Sequence, residues 1–352
     1  MINVGLIGFG LAGRAFHAPV ISAVPGLRLA AILQRSGNEA GEQYPDVRIV
    51  RSLEELLAVQ EIRLVAIATP NDTHYTLARQ CLAAGRDVVV DKPFTTTLEE
   101  AASLVQFAKE SGRLLTVYHN RRYEGDFQAI LKLVASGTLG RIVRFETNYD
   151  RFRPQLRPAS WRERSCPGSG ILFDIGPHLI DHALLLFGLP EAVTADVRIE
   201  RDGAIAADAF DIVLHYPAGM RAVLRCSMLA AAARPRFVLH GTQGAYVKQT
   251  VDPQEINLRR GYIPSDTAWG AEPEEDWGLL TLSENGTLTQ RRVPSAACDY
   301  RDYYVNVRDA ILGNAPLAVT PEWALDVMRL LELARESSNA RRTIPLPDAV
   351  SS

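Results

Sequence analysis

The feature that most constrains this chain is an apolar run, Val4–Ile7, that leads directly into a glycine-rich loop. The loop has the pattern GxGxxG, with Gly8, Gly10 and Gly13 at its fixed positions. The first glycine allows a tight turn, the second lets backbone N–H groups approach a pyrophosphate, and the third lets a helix pack on the strand. A chance glycine cluster is the alternative, but the preceding strand favours a dinucleotide site. The residues expected to contact this cofactor are Gly8, Phe9, Gly10, Leu11 and Gly13.

The first 122 residues alternate between predicted strands and helices. Apolar runs without a polar face are typical of strands that a parallel sheet buries on both sides. Such runs occur at Val4–Ile7, Leu29–Leu33, Leu64–Ala68, Val88–Val90 and Leu114–Val117. Between them, Ser52–Glu55 and Thr97–Glu100 are capping boxes that predict helix starts, and Pro19 is expected to interrupt the first helix. This order predicts an α/β fold with a doubly wound, Rossmann-type domain over residues 1–122.

From about residue 140 the hydrophobic pattern changes. Apolar and polar residues alternate over 143–150, which is typical of a half-exposed strand. Further strand-like runs follow at Ala192–Ile199, Ala209–Tyr216, Arg221–Met228, Arg236–His240 and Leu279–Leu282. Asn285-Gly286 predicts a hairpin, and Thr320-Pro321 begins a final helix. Because no helices separate these strands, residues 123–352 are predicted to form a second α/β domain with an antiparallel sheet.

The composition excludes several kinds of partner. A formal net charge of -3 gives no general attraction to nucleic acid or to an anionic membrane, so a small molecule is the expected partner. The 4 cysteines form no CxxC pair and predict reduced thiols rather than a zinc cluster. No uncharged apolar run approaches the ~20 residues of a membrane span, and no basic leader precedes the first strand. We therefore expect a cytoplasmic protein.

The end of the second predicted strand bears on which dinucleotide is bound. NAD-selective domains usually place Asp or Glu there, about 20 residues beyond the glycine motif, to bind the ribose hydroxyls. Here the strand ends at Leu33 and is followed by Gln34, Arg35 and Ser36, without a carboxylate. Arg35 can pair with a 2′-phosphate and Ser36 can donate to it, although an exposed loop arginine is the alternative. The sequence therefore favours NADP, with NAD as the second choice.

Two further strand ends carry polar residues at the edge where open parallel sheets bind ligands. The predicted strand Leu64–Ala68 is followed by 69–74, and the predicted strand Val88–Val90 by Asp91-Lys92-Pro93. A lysine that turns outward into water is the alternative for Lys92, but its place directly after Val88–Val90 favours a functional role. The cofactor-binding candidates in these two loops are Thr69, Pro70, Asn71, His74, Asp91 and Lys92.

A third polar cluster lies in Gly168–His182. If Pro177 occupies the first turn of a helix, His178 and Asp181/His182 lie on one face, and Asp174 leads into that helix. His and carboxylate groups at helical spacing can bind zinc, but the sequence offers no third distant ligand, so we expect no metal. Helix capping is a second alternative for Asp174.

Together these motifs resemble those of the Gfo/Idh/MocA oxidoreductases. They are Gly8-Phe-Gly10-Leu-Ala-Gly13, Thr69-Pro-Asn71-x-x-His74, Asp91-Lys92-Pro93 and Asp174-x-Gly176-x-His178-x-x-Asp181. The resemblance covers nearly the whole chain, and the combination is more specific than any one motif. It implies an N-terminal Rossmann domain, a C-terminal α/β domain with a large open, mainly antiparallel sheet, and a homodimer or homotetramer formed through that sheet. The family usually has Glu where this chain has the shorter Asp91.

The resemblance also implies catalytic roles. It matches Lys92 to the family's active-site lysine, and Asp174 and His178 to its Asp/His pair. Oxidation of a secondary alcohol needs a base for the hydroxyl proton while hydride leaves for the nicotinamide. Imidazole, with an ordinary pKa of about 6.5, suits that task, Asp174 can orient the substrate, and Lys92 can stabilise alkoxide charge. Whether Lys92 or His178 holds the proton stays open.

Several weaker candidates complete the expected site. Trp161 and Arg162 resemble a pair that reaches the nicotinamide cofactor in some relatives, with core packing of Trp161 as the alternative. Tyr149 is expected to bind substrate. Asn120 is expected to bind the cofactor. Weaker candidates for contact with cofactor or substrate are Arg121, Arg122, Arg151, Arg153, Tyr300, Tyr303 and Tyr304, with aromatic packing favoured for the last three.

The substrate is predicted only by analogy. The stretches that begin at Phe16, Tyr118 and Tyr149 resemble the subgroup that contains NADP-dependent scyllo-inositol dehydrogenases. This resemblance implies oxidation of a cyclic polyol or sugar, with inositol first. The alternatives are a dehydrogenase of another sugar, an NAD-dependent glycosidase of the same family and a non-catalytic NADP-binding regulator. The presence of Lys92, Asp174 and His178 argues against a regulator, because a regulator does not need acid–base residues.

Overall fold

The structure is a computed structural model that describes residues 1–157, 160–264, 269–296 and 298–347. Its strands are β1 (Ile2–Ile7), β2 (Leu27–Leu33), β3 (Arg48–Val50), β4 (Ile62–Ile67), β5 (Asp87–Val90), β6 (Leu115–Val117), β7 (Ile142–Asn148), β8 (Ala192–Arg198), β9 (Ala209–His215), β10 (Arg221–Ser227), β11 (Phe237–Gly241), β12 (Gly244–Lys248), β13 (Gly278–Glu284), β14 (Thr287–Val293) and β15 (Ile344–Pro345). Its helices are α1 (Ala18–Ser22), α2 (Glu39–Gln43), α3 (Leu53–Leu57), α4 (His74–Ala83), α5 (Leu98–Ser111), α6 (Gly125–Ala135), α7 (Gly170–Phe187), α8 (Gln254–Arg259), α9 (Arg301–Leu312) and α10 (Pro321–Ala340).

The chain folds into two compact units, and each is built from three separate segments. The first unit consists of Met1–Tyr123, Pro253–Trp269 and Cys298–Met328. The second consists of Glu124–Asp252, Gly270–Ala297 and Arg329–Ser352. The sequence predicts a single division after residue 122 and contains no local sign of the two later segments of the first unit.

Six parallel strands form the sheet of the first unit, in the order β3-β2-β1-β4-β5-β6. Strands β1, β4 and β5 are buried along most of their length, which is why they lack a polar-alternating face. The predicted Rossmann-type fold is confirmed. The edge strand β3 was not predicted, because it has only 3 residues and one of them, Arg48, is exposed.

Both predicted capping boxes begin helices of this unit. The Ser52 hydroxyl accepts the N–H of Glu55 at 3.2 Å, at the start of α3. The Thr97 hydroxyl accepts the N–H of Glu100 at 3.2 Å, at the start of α5. Each bond satisfies a backbone donor that has no partner inside the helix, so these local signals define the helix starts.

The first helix is interrupted near Pro19, as the sequence predicts. A π-helical turn, Gly13–His17, precedes α1, and Pro19 lies in the first turn of α1. Proline has no N–H to donate to the turn before it, and a widened turn is one way in which a helix accommodates this loss. The last residue of the π turn, His17, is 0% exposed. The interruption therefore coincides with a histidine held inside the unit.

Nine strands form the sheet of the second unit, in the order β14-β13-β12-β11-β7-β10-β9-β8-β15. Among the described strands of this sheet only β7 and β10 pair in parallel, so the expected large, mainly antiparallel sheet is confirmed. The predicted hairpin joins β13 to β14, with positive φ at both Asn285 and Gly286. Strand β14 was not predicted because it is exposed along nearly its whole length and has no apolar face.

Helix α7 packs against β7, β9 and β10 and supplies much of the apolar interior of this unit. The sequence predicts Pro177 in the first turn of this helix, and this prediction is wrong: α7 begins at Gly170, and Pro177 lies inside it. A capping role for Asp174 is also wrong, because Ser169 occupies the N-cap. In the part of the chain that the structure describes, α7 alone has the length and hydropathy of a membrane span, and 78% of it is buried, as in the core helix of a soluble fold.

Candidate functional site

In the glycine loop after β1, Gly8 and Gly13 are closely packed, whereas Gly10 borders open space. A Cβ added at Gly8 would lie 2.7 Å from the Ala68 carbonyl oxygen, and Gly8 has a φ of 95°. A Cβ at Gly13 would overlap the Gly8 carbonyl oxygen, whereas a Cβ at Gly10 would meet nothing within 4 Å. The N–H of Arg14 donates to the Gly10 oxygen at 2.9 Å and starts the helix. The loop therefore leaves space at Gly10 beside a helix start, which fits a dinucleotide pyrophosphate.

His74 connects the two polar loops from inside the unit. Its Nδ1 lies 2.9 Å from the Pro93 oxygen, after β5, and its Nε2 lies 3.0 Å from the Thr69 oxygen, after β4. Burial lowers the pKa of His74, although Asp91 and the two carbonyls oppose that effect. A neutral imidazole has one N–H, so it donates to one carbonyl at a time. His74 thus supports the loops at neutral pH rather than supplying charge.

Asp91 is positioned by its neighbours at the end of β5. One carboxylate oxygen accepts the backbone N–H of Lys92 at 2.8 Å and lies 3.9 Å from His17 Nε2. Burial acts to raise the pKa of Asp91, but the contact with His17 and the charge of Lys92 outweigh it and hold that pKa below its usual value. The carboxylate is therefore ionised at neutral pH, and it fixes the backbone of the candidate catalytic lysine.

His17 extends this arrangement into an aromatic cluster. Its Nδ1 lies 2.6 Å from the Tyr304 hydroxyl, and its ring is 4.3 Å from that of Tyr118. Tyr118 donates to the Phe16 oxygen at 3.0 Å, and its ring meets that of Tyr303 at 4.7 Å. Tyr118, Tyr303 and Tyr304 are 0–2% exposed, so all three pack inside the unit, as the sequence favours for Tyr303 and Tyr304. The sequence indicates no role for His17, because its partners Asp91 and Tyr304 lie 74 and 287 residues away.

The residues that follow β6 are also buried in the first unit. Asn120, Arg121 and Arg122 are 4–9% exposed. Arg121 forms an ion pair with Glu255. Arg122 donates to the Ala318 oxygen at 2.7 Å and stacks on the Trp323 ring. These two arginines therefore connect the first segment of the unit to its later segments.

In the second unit, Asp174 and His178 lie one helical turn apart on α7. The Asp174 oxygens face two guanidinium groups: Oδ1 lies 3.4 Å from Arg162 Nε, and Oδ2 lies 3.8 Å from Arg151 Nη1. His178 is 4% exposed, and the Asp174 side chain is 19% exposed. The helix therefore presents a partly accessible carboxylate, flanked by arginines, next to an imidazole.

Tyr149 and Trp161 adjoin the same arginines. The guanidinium of Arg151 lies 4.9 Å from the centre of the Tyr149 ring, and that of Arg236 lies 5.0 Å from it. Trp161 stacks with Arg162 at 4.6 Å. The second unit thus brings together Tyr149, Asp174 and the Trp161–Arg162 pair, which the sequence nominated separately. No group of three or more potential metal-ligating side chains occurs in the described ranges.

Comparison with known proteins agrees with these features. Residues 2–119 match the family described as "Oxidoreductase family, NAD-binding Rossmann fold", and residues 127–247 match "GFO/IDH/MocA C-terminal domain". The uncharacterized oxidoreductase YdgJ of Escherichia coli K12 is 43% identical over 98% of this chain and 99% of its own length. The scyllo-inositol 2-dehydrogenase (NADP(+)) IolW of Bacillus subtilis 168 is 38% identical over 98% of this chain and 96% of its own length.

Solved structures show the same similarity. YPO2259 from Yersinia pestis gives a TM-score of 0.94 at 43% identity and covers 99% of this chain and 98% of its own. The Bacillus subtilis protein yvaA gives a TM-score of 0.95 at 38% identity, with 98% of both chains covered. Because most of the chain matches these family descriptions and such relatives span it almost end to end, this chain belongs to the Gfo/Idh/MocA family of oxidoreductases.

Proposed function

We propose that this oxidoreductase transfers a hydride between NADP and a secondary alcohol of a cyclic polyol or sugar, with an inositol as the favoured substrate. The position of Lys92 carries the proposal. Lys92 follows β5 at the same sheet edge where β1 leads into the open glycine loop, and only β4 lies between these two strands. An acid–base side chain thus shares the ligand-binding edge of the sheet with the dinucleotide cradle.

The preference for NADP rests on the loop after β2. Arg35 and Ser36 are exposed there, and the strand end has no carboxylate. We assign the pyrophosphate to the Gly8–Gly13 loop and the 2′-phosphate to Arg35 and Ser36. The name of the relative IolW, which specifies NADP(+), supports this choice for a protein 38% identical to this one. When bound, the nicotinamide supplies the hydride acceptor or donor.

Three side chains are assigned to the alcohol. Lys92 stabilises charge on its oxygen, and either Lys92 or His178 receives its proton. Asp174 accepts a hydrogen bond from a substrate hydroxyl, while Arg151 and Arg162 hold the carboxylate in place. Tyr149 is assigned to the substrate because its ring lies against Arg151.

The test is a screen of inositols and aldoses with each cofactor, followed at 340 nm, together with two variants. Lys92→Met and His178→Ala are expected to lower kcat by roughly 100-fold or more, since each removes a proposed acid–base or charge-stabilising group. Lys109→Met, an exchange of the same type on α5, is the control and leaves kcat unchanged.

Several results would contradict the proposal. Near-wild-type turnover in both variants would exclude the mechanism. Glycoside cleavage without net change in cofactor absorbance would identify a glycosidase, and cofactor binding without any turnover would favour a regulator. The expected homodimer or homotetramer and the cytoplasmic location stay predictions.

A further inference from the structure

The end of β3 lies directly beside the loop that carries Arg35. Strands β2 and β3 pair in parallel with Leu33 opposite Val50, and the N–H of Gln34 donates to the Val50 oxygen at 3.1 Å. The next residue after Val50 is Arg51. The parallel register therefore places Arg51 and Gln34 side by side at the edge where dinucleotides bind.

Arg51 is held at this position by its side chain and its backbone. Its Nη1 donates to the Gln34 oxygen at 2.8 Å and to the Gly37 oxygen at 2.8 Å. Its backbone N–H donates to the Glu55 carboxylate at 2.9 Å, next to the capping box that starts α3. Among the residues that the structure describes, nothing accepts from its Nε or Nη2. Two faces of an exposed guanidinium are thus available beside the loop.

The loop that Arg51 holds is closed by further specific contacts. The side chain of Gln34 donates to Glu39, and its amide oxygen accepts the N–H of Ala40 at 2.9 Å. Gly37 has a φ of 79°, which disfavours other residues there. The ends of the loop are therefore fixed, while Arg35 and Ser36 between them are exposed.

This geometry has a consequence for anion binding. Backbone carbonyl oxygens carry partial negative charge and oppose a phosphate, and Arg51 covers two of them with a cation. A guanidinium with unused coplanar donors is suited to bind a phosphate at two points.

We propose that Arg51 supplies a second guanidinium, beside Arg35, to the site of the 2′-phosphate and so determines the choice of NADP over NAD. This inference rests on the NADP preference proposed above. Arg51 lies outside both the glycine motif and the Arg35-Ser36 pair, so the sequence alone does not indicate this role.

The test measures binding of two fragments by calorimetry, without substrate or turnover. The fragments are 2′,5′-ADP, which carries the 2′-phosphate, and 5′-AMP, which lacks it. Arg51→Ala is expected to weaken 2′,5′-ADP binding by about tenfold, the loss typical of a charged hydrogen-bonding partner, and to change 5′-AMP binding by less than about twofold. Arg51→Lys keeps the charge and is expected to restore part of the lost affinity.

Two other variants complete the design. Arg35→Ala reports on the proposed 2′-phosphate site itself and is expected to weaken 2′,5′-ADP binding. Arg28→Ala is the matched control: Arg28 is an exposed arginine on β2, bonded to Asn3 at the opposite end of the sheet, and its loss should leave both fragments unaffected. Retained 5′-AMP binding shows that each variant is folded.

The outcomes separate the two proposals. Equal wild-type affinity for both fragments would overturn the NADP preference and, with it, this inference. If the wild type prefers 2′,5′-ADP, Arg35→Ala removes that preference and Arg51→Ala does not, the role of Arg51 is overturned while the NADP assignment stands. Equal loss of both fragments in Arg51→Ala would show that Arg51 only supports the loop, which also overturns the inference.

Discussion

Asp126 is a carboxyl group that the second unit keeps in its interior, in the first turn of α6. Two buried ion pairs surround it: Arg236 lies 3.2 Å from Glu124, and Lys248 lies 2.9 Å from Glu272. Each cation thus already has a carboxylate partner, and one Asp126 oxygen has no hydrogen-bond partner in the described residues. Burial, with the nearby charge of Glu124, raises the pKa of Asp126 to about 7.

This shift predicts a pH dependence of stability. The pKa of Asp126 is higher in the folded state than in the unfolded state. The contribution of Asp126 to the free energy of unfolding is therefore most favourable below pH 4 and is lost as pH rises through about 7. Asp126→Asn resembles the neutral acid at every pH, so it should match the wild type near pH 4 and exceed its unfolding free energy by roughly 2–4 kcal/mol at pH 8. Urea unfolding at both pH values measures this difference.

A contrasting variant tests the reason for that difference. Glu124→Gln leaves Arg236 without its carboxylate partner and should destabilise the protein at pH 8 rather than stabilise it. If wild type and Asp126→Asn lose stability in parallel between pH 4 and 8, the proton on Asp126 is not the cause.

At this scale the sequence supplied candidate residues but not their contacts. It nominated Lys92 and Asp174 from their motifs, and the structure adds the groups that hold them. The contact of His17 with Asp91 joins residues 74 positions apart. Such pairings depend on the tertiary fold, for which one sequence carries no local pattern.

At the scale of elements, Gly13 and Gly10 have different roles in the glycine loop and the helix that follows it. Gly13 allows close packing against the Gly8 carbonyl, whereas Gly10 borders open space. Elsewhere the sequence predicted elements with a regular apolar pattern and missed those without one, such as β3 and β14. The start of α7 was misplaced because proline usually marks a first turn, and here the helix continues through Pro177.

The two glycines should respond differently to alanine. Gly13→Ala is expected to destabilise the protein by about 1–3 kcal/mol, because its Cβ overlaps the Gly8 oxygen, even though alanine normally favours helices. Gly10→Ala should leave the unfolding temperature unchanged but weaken NADP binding by about tenfold or more, since its Cβ enters the proposed pyrophosphate space. Thermal unfolding and fluorescence titration give the two readouts, and a reversed pattern would contradict this division.

At the scale of the whole molecule, the first unit is completed by parts of the chain that come late. Tyr118, at the end of β6, packs on Tyr303 and Tyr304 at 4.7 Å and 5.5 Å. The hydroxyl of Thr116 donates to the Val319 oxygen at 2.7 Å. The sequence pattern of residues 1–122 looks like that of a complete domain, but the core of this unit also needs residues from the later segments. No local signal in 1–122 indicates that need.

A fragment of residues 1–122 is accordingly expected to fail as an independent domain. It keeps all six strands of its sheet but loses α8, α9 and the contacts around Tyr118. We expect broad, non-cooperative urea unfolding by circular dichroism, against a cooperative transition for this unit in the full chain. A sharp transition and native-like dispersion of NMR signals in the fragment would contradict the expectation.

The late return of the chain also has a consequence during synthesis on the ribosome. The first segment of the nucleotide-binding unit ends at Tyr123, and its last segment starts at Cys298. At a translation rate of 5–20 residues per second, the nascent sheet waits about 10–35 s for the residues that cover Tyr118. During that interval the aromatic residue at the end of β6 is accessible to chaperones and to neighbouring nascent chains. The synthesis of Cys298–Met328 therefore determines when the first unit can complete its core and stop exposing this surface.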